Sequence, residues 1–127
     1  NIENLKNVIF ETLIICNDIK KIESHTKTLK KIYDNSKYVI INSDINIEQN
    51  CLIGSKKNII TYGMNQKATI TLSSINDNKL LISIQRNIEN IKGEKIEVGE
   101  NILEIENEHT TKINDMLAIF ATYSIYT

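Results

Sequence analysis

Residues 37–44 read Lys-Tyr-Val-Ile-Ile-Asn-Ser-Asp, and this stretch, KYVIINSD, decides how the rest of the chain is read. Four consecutive apolar residues, Tyr38 to Ile41, run directly into Asn42, Ser43 and Asp44. A short apolar, β-branched run closed by small polar residues predicts a strand buried on both faces, as at the centre of a parallel sheet covered by helices. In open α/β sheets the crevice outside the carboxyl ends of the strands is where ligands bind. Asn42, Ser43 and Asp44 are therefore candidate ligand-binding residues. The competing reading is a turn in which Asn and Asp bond nearby backbone.

Upstream, Glu11 to Cys16 (ETLIIC) repeats the design, an apolar run ending in Asn17 and Asp18. It predicts a second buried strand, with Cys16 inside it and Asn17 and Asp18 at the same sheet edge as Asp44. Between the two, Ile22 to Asn35 carries Ile22, Leu29, Ile32 and Tyr33 at helical spacing, with lysines on the other face and Ser24 or Thr26 as cap. Strand, helix and strand form a βαβ unit. Residues 1–10 place Ile2, Leu5, Val8 and Ile9 as one face of a short helix. Downstream, Ile45 to Lys57 is a weak helix or a loop, and Asn58 to Tyr62, closed by Gly63, is a third parallel strand.

From residue 68 the pattern changes to a period of two, the mark of half-exposed strands. Ala68–Ile75, Lys79–Gln85, Lys95–Val98 and Asn101–Glu106 are the strands expected, with turns at Asn76-Asp77-Asn78 and at Gly99. Thr110 to Thr127 predicts a closing helix, with Thr110 or Thr111 as N-cap and an apolar stripe of Ile113, Met116, Leu117, Phe120, Ala121 and Ser124. The expected fold is thus one α/β domain: a parallel part over about residues 1–63, an antiparallel part over about 67–106, and a helix over about 110–127.

At 127 residues the chain suffices for one domain with a core. A formal charge of −1 and a pI near 6.2 supply no electrostatic ground for a nucleic-acid partner. No apolar run is long enough to span a bilayer, and no signal peptide is legible, so a cytoplasmic protein is expected. Cys16 and Cys51 match no metal spacing. His25 and His109 lack a visible partner, and Ser73-Ser74 lacks a Gly-flanked elbow. Neither catalytic residues nor a metal or cofactor are assigned.

Four segments in order resemble the carboxyl-terminal half of the central domain of Mur ligases, the ATP-dependent amide-forming enzymes of bacterial peptidoglycan synthesis. ETLIICND is similar to the family's strand before its Asp-His motif, and KYVIINSD to the strand ending in Asn-Ala-Asp-Asp. NIITYGMNQKATITLSSI resembles the family's "ITYG" strand with the strand after it. KINDMLAIFATYSI resembles the family's Asn-Ala-Leu-Ala-Ala-Ile-Ala helix, with Asn114 matching the opening Asn and thereby joining the candidate ligand-binding residues. The departures concern chemistry. A Gly-Lys-Thr phosphate loop is missing, Gly54-Ser55-Lys56-Lys57 being the nearest approach. Ile19 follows Asp18 where the family has His, Leu29 stands where it has a magnesium-supporting Lys, and Ile45 stands where it has the second acid. Phosphoryl transfer depends on such groups. The resemblance therefore implies a non-catalytic Mur-ligase-like domain that binds or assembles. The alternative, prompted by the non-Met start, is a fragment of a working ligase whose nucleotide loop lies outside this chain. An exposed sheet edge is expected to take a second copy or a protein partner.

Overall fold

The computed structural model describes residues 2–5, 7–16, 26–45, 58–105 and 112–127. The chain enters through a single 3-10 turn, Ile2–Leu5. Among the described residues, the short helix expected over residues 1–10 is reduced to this turn. Val8 and Ile9 follow in non-helical backbone, Ile9 being 80% exposed, because so short a segment does not repay the cost of a helix nucleus.

Strand β1, Thr12–Ile15, is followed by helix α1, Thr26–Asp34, and strand β2, Tyr38–Asn42. Leu29, Ile32 and Tyr33 form the buried face of α1, while Lys27, Lys30 and Lys31 are exposed. The helix stops at Asn35 and Ser36, where the Ser36 hydroxyl donates to the Ile32 carbonyl at 2.7 Å. All five residues of β2 are buried. Strand β3, Asn58–Tyr62, lies parallel to β2, as β1 does on the other side.

Strand β4, Ile70–Asn76, joins the two halves. It pairs parallel with β3 at Tyr62 and Ile70 and antiparallel with β5, Lys79–Ile84. The alternating strands therefore extend the parallel sheet. A hairpin of two short strands follows, β6 (Ile88–Glu89) with β7 (Lys95–Ile96), before β8, Gly99–Glu104, pairs antiparallel with β5. The result is one six-stranded sheet, ordered β1-β2-β3-β4-β5-β8, with β6-β7 as a separate pair.

One of the two turn assignments differs. Asp77 does adopt the left-handed backbone expected between β4 and β5, at φ 51°. The second turn expected at Gly99 instead has its left-handed residue at Gly93, at φ 78°, between β6 and β7, whereas Gly99 opens β8. Asn90 explains the shift: its side-chain oxygen accepts the Lys92 and Glu94 amides, closing a turn there. Lys95 and Ile96 thus turn back on Ile88 and Glu89.

Helix α2, Ile113–Tyr126, covers one face of the sheet, where Leu117, Ala121 and Ile125 pack against Tyr38, Ile40, Ile60, Tyr62, Ile70 and Ile82. Its N-cap is Lys112, which makes no side-chain cap bond; Thr110 and Thr111, the expected caps, lie outside the described residues. The other face of β1 and β2 is closed by α1, with Leu29 and Tyr33 against Ile15, Val39 and Ile41. Strict alternation along β2 sends Tyr38 and Ile40 to α2 and Val39 and Ile41 to α1. No described helix is long and apolar enough to cross a membrane.

Candidate functional site

The carboxyl ends of the parallel strands do gather polar residues, as expected of an open α/β sheet. Asn42 is buried, and its side-chain oxygen accepts the Asp44 amide at 2.9 Å. The Ser43 amide and hydroxyl both donate to the Tyr62 carbonyl, at 2.7 and 3.0 Å. The Asp44 carboxylate reaches across to the segment after β3. Its Oδ2 accepts the Met64 amide at 2.8 Å, and its Oδ1 accepts the Asn65 amide at 3.1 Å.

Asn65 continues the chain of bonds, accepting the Lys67 amide on its side chain and the Ala68 amide on its carbonyl. Asn42, Ser43 and Asp44 therefore act together as a clamp that holds the loop from Gly63 to Lys67 on the end of β2. Two backbone N–H donors on one carboxylate are charge-assisted bonds that hold it in place. Gly63 makes the approach possible. At its φ of +151°, a β-carbon would lie 2.6 Å from the Ser43 hydroxyl and 2.8 Å from Asp44 Oδ2.

Asn114 sits in the first turn of α2, half-buried, and its side-chain oxygen is buried with no hydrogen-bond partner. Asn17 and Asp18, the other two candidates, lie outside the described residues, as do Cys51, His25 and His109. Ser73 and Ser74 are exposed at an irregularity in β4, where the register with β5 shifts.

Three groups that sequence reasoning did not place here complete the edge. Tyr62 is fully buried at the end of β3, with Cys16 near its hydroxyl. Burial, followed by Cys16 and the Asp115 and Asp44 carboxylates, pushes the phenol well above its ordinary range, so Tyr62 is neutral at physiological pH. Cys16 lies one residue past β1 and is exposed, which corrects the buried position expected of it. The apolar run ETLIIC ends one residue sooner in space than in sequence, because β1 stops at Ile15. Tyr62 had one legible signal, an aromatic hydroxyl just before a Gly at a strand end. The placement of Asp115 depended on how α2 docks, which no local pattern reports.

Among the described residues, no three His, Cys, Asp or Glu side chains converge as a metal would require. No known family, curated protein or solved structure matches the chain.

Proposed function

We propose that this chain is a non-catalytic domain of the Mur-ligase type, working in the cytoplasm by binding and assembly rather than by ATP-driven ligation. The observation that carries the reading is the use made of Asp44. It is the one residue of this chain that corresponds to the family's acidic pair, and its carboxylate is engaged by the Met64 and Asn65 amides. The flanking departures support the same reading. Leu29, where the family has its magnesium-supporting lysine, is buried in the apolar cluster under α1. Ile45, in place of the second acid, packs against that same cluster. Those positions contribute to the core instead of presenting charge to a phosphate.

Isothermal titration of the chain with Mg·ATP, Mg·ADP and UDP-linked peptidoglycan precursors tests this. The expected result is no nucleotide binding, with the UDP-sugar precursor either bound alone or not bound. Tight Mg·ATP binding, in the micromolar range, would overturn the non-catalytic reading.

A further inference from the structure

Strand β3 has a complete neighbour on one side only. Toward β2 all five of its residues are in register. Toward β4 it keeps a single pair, Tyr62 with Ile70, because β4 begins level with the end of β3. Side chains close the junction there. The Thr61 and Thr69 hydroxyls hydrogen-bond to each other, and the Thr61 hydroxyl also accepts the Thr69 amide. Before that point in β3, residues 58–60 face no strand.

A cleft of about 400 Å³, its open mouth included, takes the place a neighbouring strand would fill. Residues 58–60 form one wall and residues 86–89 the other, with Thr69 at the end. Among the described residues no backbone hydrogen bond crosses it. In a sheet, alternate residues of a strand turn their N–H and C=O groups toward each neighbour, so β3 presents unpaired donors and acceptors to the cleft. A wall that offers both matches another polypeptide backbone. A simple anion would use the donors alone.

Two opposite charges mark the ends of the cleft. Arg86 lies at the end where β3 finishes: its Nη1 donates to the carbonyl of Lys67, two residues before Thr69, and its other N–H groups make no hydrogen bond among the described residues. Glu89 lies at the end where β3 starts. It precedes Asn90, whose carbonyl accepts the Tyr38 hydroxyl, and Tyr38 stands opposite Asn58, the first residue of β3. The Glu89 carboxylate has no hydrogen bond or ion pair among the described residues.

We propose that this gap binds the free carboxyl terminus of a partner protein as an added strand parallel to β3. The terminal carboxylate meets Arg86 in a charge-assisted pair. A basic side chain about three residues earlier meets Glu89, since the open part of β3 spans roughly 10 Å. In the antiparallel direction both contacts would become repulsive, so the charges select one orientation. The cleft lies at the opposite end of β3 from the Asp44 clamp, and its occupancy does not depend on the Mur-type reading.

Amide chemical-shift titration of the full chain with acetyl-Lys-Thr-Val-Val, free at its carboxyl terminus, tests the proposal. Saturable shifts are expected at Ile59, Ile60 and residues 86–88. Affinity is expected to fall at least about tenfold for the carboxamide peptide, for the peptide with Glu in place of Lys, and for the original peptide with Arg86→Ala. Arg86 is exposed, so its substitution leaves the core in place. A peptide N-methylated at its two central residues cannot pair with β3 and is expected not to bind. Absence of shifts at millimolar peptide, or shifts confined to other residues, overturns the proposal. Undiminished affinity with the carboxamide, the Glu peptide or Arg86→Ala overturns it too, and equal binding of the N-methylated peptide would mean a carboxylate site without strand addition.

Discussion

At Gly63, backbone conformation and close packing coincide. The φ of +151° disfavours any side chain, and a β-carbon would meet the Ser43 hydroxyl and the Asp44 carboxylate at under 3 Å. Gly93 has the same kind of backbone, φ +78°, but open space around it. Gly63→Ala is therefore expected to cost on the order of 2–3 kcal/mol, strain plus a disrupted clamp, against roughly 1 kcal/mol for Gly93→Ala; urea denaturation of the two variants checks the difference. Tyr62 gives a pH signature. Its folded-state pKa lies above the unfolded value of about 10, so the native state keeps a proton that the unfolded chain releases. The stability this contributes is complete below pH ~10 and is lost as pH rises from there toward the folded-state value. Tyr62→Phe is expected to show a shallower alkaline decline in stability than the unsubstituted chain; denaturation midpoints across pH test it.

At the scale of elements, β2 and the β4–β5 hairpin show two kinds of legibility. The run Tyr38–Ile41 has no polar side, so it had to be buried on both faces, and the structure buries it against α1 and α2. The hairpin turn at Asn76–Asn78 was legible because Asn and Asp tolerate left-handed backbone. Asp77 occupies that conformation with a β-carbon that glycine would lack. Asp77→Gly is expected to raise stability by about 0.5–1 kcal/mol, read as a shift in thermal midpoint. The β6–β7 hairpin was not legible. Its turn is organised by Asn90 and Gly93, while the alternating letters of Lys95–Val98 suit any half-exposed strand equally well. Tyr38 then ties this hairpin to β2, its hydroxyl donating to the Asn90 carbonyl at 3.0 Å.

Over the whole molecule, β4 converts a parallel sheet into an antiparallel one without a break. The parallel contact between β3 and β4 is a single register pair, Tyr62 with Ile70, and the Gly63–Lys67 loop clamped by Asp44 makes that junction. The clamp's position at the carboxyl ends of the strands is where a ligand would otherwise be sought. The sheet also ends unevenly, in a glutamate-bearing strand at one side and an uncharged one at the other, with an exposed apolar helix stripe beside the uncharged edge.

What the sequence by itself determined follows from periodicity and backbone chemistry: the fully buried β2, the buried stripe of α1, the alternating β4, β5 and β8, and the gathering of Asn42, Ser43 and Asp44 at one sheet end. The apolar run of β1 predicted a second buried strand, but the sheet order leaves it at an edge with Ile14 40% exposed. These are local properties, set by residues within a few positions of one another. Tertiary structure alone decided what those groups touch. Asp44 bonds amides twenty residues away, Tyr62 meets Cys16 across two strands, and α2 leaves Ile119 and Tyr123 outside. Such pairings depend on the order of strands in the sheet and the face a helix docks on, and neither leaves a trace in the spacing of residues along the chain.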